Sequence, residues 1–296
     1  NARIWYISPN EPHNKTAYFV DAPYQVDKIS AQTFADWQKK AGEIALKLPE
    51  LNPYIPDDFS LTKTTQDYPH PALIVDEPTL RVVYTPSRYF ASEPKADVSV
   101  VLRNPKAMNS AKNQVMFALN DYLAGIALDQ LSNQAAVGGI SFSTNANNGL
   151  MLNANGYTQR LPQLFQALLE GYFSYTPTEE QLEQAKSWYA QMMDSAEKGK
   201  AYDLALMPAQ MLSQVPYFQR EDRRALLPSI TLKDVLAYRD ALKTNTRPEF
   251  LIVGNMSEDQ AKTLAENVRA QLGSKGDEWC RNQDVLVEKK QNVIFE

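Results

Sequence analysis

Between residues 98 and 157 the hydrophobic period changes twice, and this alone restricts the chain to a few architectures. Val98, Val100 and Leu102 alternate with Ser99, Val101 and Arg103, the two-residue repeat of a mostly buried strand. Asn104-Pro105 breaks that repeat, since proline brings no N–H to a ladder. Ser110 is then placed to cap a helix over 110–131. Its apolar residues fall at Val115, Leu119, Tyr122 and Ile126, with Met116, Leu123 and Ala127 on an adjoining row. A stripe that wide suits a helix lying deep against a sheet, and Gly138-Gly139 ends it. Ile140, Phe142 and Thr144 alternate again as a strand. Asn147-Asn148-Gly149 supplies the positive φ angles of a tight turn, and Leu150 and Leu152 begin the returning partner. Strand, long helix and hairpin in this order predict an α+β domain.

Composition matters for what it excludes. With 296 residues the chain has room for one large domain or two small ones, and 44% hydrophobic with 22% charged residues is ordinary for a globular protein. A formal charge of −5, with no basic run interleaved with aromatics, argues against nucleic-acid and anionic-membrane partners. No apolar stretch reaches the length of a membrane span, and no signal peptide opens the chain. Asn1 falls inside a strand-like pattern, so the sequence is expected to be cut at both ends. The single cysteine, Cys280, excludes an internal disulfide.

Taken in order, residues 2–8 read as a strand. Eleven of the eighteen prolines fall between Pro9 and Pro94, which keeps regular structure short there. Inside that region, 30–48 is one amphipathic helix with Phe34, Trp37, Ala41, Ile44, Ala45 and Leu48 at helical spacing. Residues 80–85 and 98–103 are strands. Leu161, Leu164, Phe165, Leu168 and Tyr172 mark a further helix. Thr178-x-x-Gln181 starts the next as a capping box, with Leu182, Ala185, Tyr189 and Met192 inward, and helix continues to Gln214 with a break at Pro208. Thr231 caps a helix bearing Val235 and Leu242, and 250–253 is a short buried strand. Ser257-x-x-Gln260 opens the last helix, with Ala261, Leu264, Ala265, Val268 and Leu272 on its core face and Gly273 as its stop. A final strand starts at Asn292.

This order of elements resembles the inverzincin zinc proteases of the pitrilysin and insulin-degrading enzyme family. Asn1-Ala-Arg-Ile-Trp-Tyr-Ile-Ser8 is similar to the last strand of that family's second domain, and Leu-Pro-x-x-Asn-Pro-Tyr-Ile-Pro at 48–56 to the connector after it. Tyr68-Pro-His-Pro-Ala-Leu-Ile74 resembles the entry to the third domain, and Phe250-Leu-Ile-Val-Gly-Asn-Met256 its closing strand and turn. The resemblance implies a mainly antiparallel sheet with helices packed on one face, preceded by a long proline-rich connector. It implies the end of a preceding domain at 1–24, a connector with one helix at 25–75, a non-catalytic third domain at 76–272, and a linker with the start of a following domain at 273–296.

The family's zinc site is H-x-x-E-H on a helix: two histidines on one face bind the metal, and the glutamate activates water. That motif is absent, and between Pro94 and Leu169 there is neither histidine nor glutamate. The expected function is therefore the central non-catalytic segment of a periplasmic zinc metalloendopeptidase, forming part of its enclosed peptide chamber. Zinc and its base belong to the full-length enzyme and none to this segment. Partners are the missing catalytic and C-terminal domains and peptide substrates, with no nucleic acid and no membrane. The alternative is a stand-alone scaffold or binding protein of the same fold.

Among single residues, His13 and His70 read as loop residues beside prolines, and Cys280 as part of a linker. Glu179, Glu180 and Glu183 lie where the family's active domain carries its third zinc ligand, but carboxylates in a first helical turn also answer the macrodipole. Asp121 and Asp129, eight residues apart on a helix, make no dyad. The run Arg220-Glu-Asp-Arg-Arg224 reads as a solvated turn. The substrate-chamber candidates are Ile140, Ser141, Phe142, Ser143 and Thr144, with the two serines on the face opposite the others.

Overall fold

The computed structural model describes residues 3–44, 48, 50–63, 68, 70–104, 106–146, 149–200, 202 and 217–275. The chain forms two units, Asn1–Leu51 and Asn52–Glu296.

In the first unit, β1 (Lys15–Thr16) and β2 (Pro23–Tyr24) make a two-residue antiparallel ladder. Helix α1 (Ala31–Glu43) begins as the sequence predicts, with Ser30 Oγ accepting the Thr33 N–H at 3.0 Å. It stops earlier than predicted, because Ile44 is extended. No residue of α1 is buried, so Phe34 and Trp37 lie open. The strand expected at 2–8 does not form over the described residues 3–8, and Ile4, Trp5, Tyr6 and Ile7 are exposed. A strand is held by its neighbour's N–H and C=O groups, and no described segment offers them there.

The second unit is built on one six-stranded sheet. Its strands are β3 (Ala72–Glu77), β4 (Leu80–Thr85), β5 (Lys95–Arg103), β6 (Ile140–Ala146), β7 (Gly149–Tyr157) and β8 (Arg247–Gly254). Their order is β3-β4-β8-β5-β7-β6, and every neighbouring pair is antiparallel except β4 with β8. Alternation decides which face is covered: Leu80, Val82 and Tyr84, Val98, Val100 and Leu102, Leu150, Leu152 and Ala154, and Phe250 and Ile252 are all buried together. Helices α2 (Ala111–Val137), α3 (Leu161–Ser174) and α7 (Glu258–Leu272) lie against that face, on β6, β7 and β4–β8 respectively. Helices α4 (Glu179–Glu197), α5 (Arg220–Leu226) and α6 (Leu232–Thr244) gather around α2. This is the predicted α+β arrangement.

Ser110 caps α2 through Asn113 N–H at 3.1 Å, as the sequence predicts. Burial surrounds most of the helix as far as Ala124, then narrows to Leu128 and Ala135. Ile126 and Ala127 therefore correct the predicted stripe: both face solvent, Ile126 at 40% exposure. Their period is right, but the extent of the covering elements decides burial. At the end of α2, Gly139 takes φ 72°, a left-handed turn into β6 that glycine adopts without strain.

Two other expectations are corrected. Met193, not Met192, continues the inward row of α4; Met192 is 44% exposed. The run 220–224 is the body of helix α5, not a turn. Glu221 and Asp222 in its first turn and Arg223 and Arg224 in its last match the macrodipole, and Arg224 pairs with Asp194 of α4. The capping boxes of α4 and α7 form as predicted, and Gly273 ends α7 at φ 61°. The Pro208 break, Asn147 and Asn148 of the turn, and the strand at Asn292 lie outside the described residues.

From Asn52 onward the chain is fastened along one end of the sheet. Asn52 Nδ2 donates to Gln134 O at 2.7 Å, and the Asp57 and Asp58 N–H groups both donate to Gln159 Oε1 at 3.0 and 3.1 Å. Asn255 Oδ1 accepts Thr62 N–H at 2.7 Å, and Phe59 meets Tyr157 edge-to-face.

Candidate functional site

Strand β6 is the last of the sheet, and among the described residues no strand pairs with its outer side. It carries the five candidate residues. Ile140 is buried on the helix side, Phe142 and Thr144 are half-buried there, and Ser141 and Ser143 are exposed on the other face. Cross-strand register extends that open face in three rows. Ser141 stands beside Asn155 and then Asp97; Ser143 beside Asn153 and then Ser99; Asn145 beside Met151 and then Val101. Further along, the same rows reach Val253 and Thr85, Leu251 and Val83, and Glu249 and Arg81. The face thus grades from amide and hydroxyl groups near the edge to an apolar centre around Leu251.

Hydrogen bonds tie the polar rows together. Ser141 Oγ donates to Asn155 Oδ1 at 2.9 Å, and Ser143 Oγ accepts from Asn145 Nδ2 at 3.4 Å and Asn153 Nδ2 at 3.5 Å. An amide oxygen is no base, so Ser141 is set up to bind rather than to attack. The edge itself adds backbone N–H and C=O groups that accept an extended chain without regard to its sequence. One end of the face is closed by ions: Glu249 accepts from Arg103 Nε and Arg247 Nη1, both at 2.8 Å, and Arg247 also reaches Asp76 at 2.9 Å.

Beneath β6 lies a polar cluster that sequence reasoning missed. Tyr172 OH donates to Asp121 Oδ1 at 3.1 Å, Tyr175 OH donates to Asn120 Oδ1 at 2.7 Å, and the Thr144 hydroxyl also bonds Asp121. Burial raises the Asp121 carboxyl above its ordinary value, the two hydroxyls offsetting part of that. Burial likewise pushes the Tyr172 phenol well up, with Asp121 adding to it. The available signal was Asn120-Asp121 interrupting the apolar rows of α2.

The remaining candidates stay apart. Asp129 is exposed while Asp121 is not. His13 and His70 are both exposed, and Cys280 lies outside the described residues. Glu179, Glu180 and Glu183 are exposed in the first turns of α4, where Glu183 holds Lys186 at 2.8 Å. Among the described residues no three histidine, cysteine or carboxylate side chains converge as metal ligands, so these residues do not fit a zinc site. No described helix is long and apolar enough to cross a membrane.

A family model described as the middle or third domain of peptidase M16 matches residues 1–225. The chain belongs to the peptidase M16 family. Within that family, Protease 3 of Shigella flexneri and Protease 3 of Escherichia coli strain K12 are each 82% identical to it over all 296 residues. The chain spans 31% of the length of each, about a third. The crystal structure of pitrilysin matches with a TM-score of 0.82 and 82% identity, covering 94% of this chain and 30% of that one. The chain thus corresponds to a middle segment of an M16 peptidase.

Proposed function

We propose that this chain serves a periplasmic zinc metalloendopeptidase as its non-catalytic third domain, at 76–272, with the flanking segments 1–24, 25–75 and 273–296 joining it to other domains. The zinc ion and the glutamate that activates water belong to another domain of the longer protein. The open face of the sheet and the edge of β6 form part of the wall of a chamber that holds extended peptides. One observation carries the reading: the match to Protease 3 runs through the whole chain, yet α2 holds no histidine at all.

The test compares the isolated 296-residue chain with the complete protease. After dialysis the chain alone is expected to retain no stoichiometric zinc and to leave a quenched peptide intact, while the complete protein retains zinc and cleaves the peptide in a chelator-sensitive way. Stoichiometric zinc in the isolated chain, or chelator-sensitive cleavage by it, overturns the reading.

A further inference from the structure

Helices α2 and α4 flank an open groove with an aromatic floor. The rings of Tyr122 and Trp188 lie 4.9 Å apart with their planes 32° from parallel, and the buried ring of Tyr189 lies 6.2 Å from that of Trp188. Trp188 keeps 39% of its surface exposed. The rim is polar and bears negative charge: Glu180, Glu183, Gln184 and Gln191 line it, and among the described residues no cationic side chain does. Lys186 is the nearest cation along α4. Its side chain is only 14% exposed and pairs with Glu183, offsetting part of that carboxylate's charge while leaving its second oxygen to accept. One turn beyond each ring, Ile126 and Met192 are also exposed, which prolongs the apolar floor.

We propose that this groove binds the guanidinium side chain of an arginine presented by a peptide. The complementarity is chemical. A planar, weakly hydrated cation stacks on an outward aromatic face, and the rim carboxylates accept its N–H groups. The aliphatic stem of arginine finds cover on Ile126 or Met192, and the amides of Gln184 and Gln191 meet the peptide backbone. Arginine fits better than lysine, because a compact ammonium stacks less and loses more hydration. The site lies on the helix layer, on the other side of the sheet from the open face, and does not depend on the chamber reading.

The experiment uses the 296-residue chain with ¹⁵N label and two blocked pentapeptides, Ac-Gly-Ala-Arg-Ala-Gly-NH₂ and its citrulline counterpart, which keeps the shape and lacks the charge. With the arginine peptide, the Trp188 indole N–H and the side-chain amides of Gln184 and Gln191 are expected to shift and saturate. The citrulline peptide is expected to bind about fivefold or more weakly, the size of one exposed cation–π contact with its ionic support. The double variant Glu180→Gln, Glu183→Gln should erase most of that ratio while the β5 and β8 amide signals stay in place. Equal affinity for the two peptides, shifts centred elsewhere, or no saturable shift at millimolar peptide overturns the proposal.

Discussion

Tyr172 on α3 donates its phenolic hydrogen to the Asp121 carboxylate on α2 at 3.1 Å, within a cluster that also reaches Thr144 of the edge strand. Burial holds this carboxyl above its ordinary value of 3.8. The folded state therefore keeps the proton to higher pH than the unfolded chain does, so folding takes up a proton in that interval. The sign follows: the contribution of Asp121 to stability is fully present below 3.8 and is lost as pH rises through the folded value. Replacing it by asparagine keeps the acceptor and removes the titration. Denaturation midpoints of the wild type relative to Asp121→Asn are expected to move in the wild type's favour as pH falls from 7 towards 4. A flat difference, or one of opposite slope, contradicts a buried carboxylate at this place.

Leu119 and Ile126 sit on the same helical row two turns apart, yet only Leu119 is buried. Leu119→Ala should cost about 2–5 kcal/mol, combining lost transfer energy with a cavity. Ile126→Ala removes a half-open side chain and should cost under about 1 kcal/mol. Urea denaturation of the two variants checks the contrast; equal losses would place Ile126 inside the core.

What was legible in the sequence was local. The period of β5 and the boxes Thr178/Gln181 and Ser257/Gln260 are each settled within a few residues, and the structure repeats them. What was not legible depends on distant partners. Ile126 and Met192 have the right spacing for burial but, among the described residues, no element covers them. The bond from Tyr175 to Asn120 spans 55 positions, and the parallel pairing of β4 with β8 joins strands more than 160 residues apart. The edge strand was legible as a strand from its alternation. Its short run between Gly138-Gly139 and the Asn-Asn-Gly turn also pointed to the margin where it lies; the order of the strands beyond β7 is a property of the whole sheet, which no local pattern encodes.

Gly138 has no room for a side chain, because a Cβ there would collide with the Tyr54 carbonyl. Nearby, Asn52 bridges the Gln134 carbonyl and the Tyr54 N–H at 2.7 and 3.0 Å. Gly138→Ala should therefore lift the 52–63 segment from the end of α2 at a cost of about 1–3 kcal/mol. Hydrogen exchange would show faster amide exchange across 52–63 with β5 and β8 still protected. Unchanged exchange there would mean that the segment is held by its later contacts with Gln159 and Asn255 alone.

Ser143 occupies the middle row of the open face, with its hydroxyl accepting from Asn145 and Asn153 and its backbone on the last strand of the sheet among the described residues. If that face walls a peptide chamber, a bulky ring at this position takes the space an extended chain would use and unsettles the amide ladder beside it. Each backbone hydrogen bond denied to a peptide is worth about 1 kcal/mol, or roughly fivefold in affinity. Ser143→Trp in the complete protease is accordingly expected to raise KM for long peptides about fivefold or more, with a smaller effect on short ones. Zinc content and melting temperature should stay unchanged, because Ser143 lies outside the buried core and the ion pairs. Thr144→Ala serves as the contrast, since its side chain points toward the helices and Asp121; it should change stability before it changes length preference. Identical kinetics of Ser143→Trp and wild type on long and short peptides would remove this face from the chamber wall and leave β6 as an ordinary solvated edge.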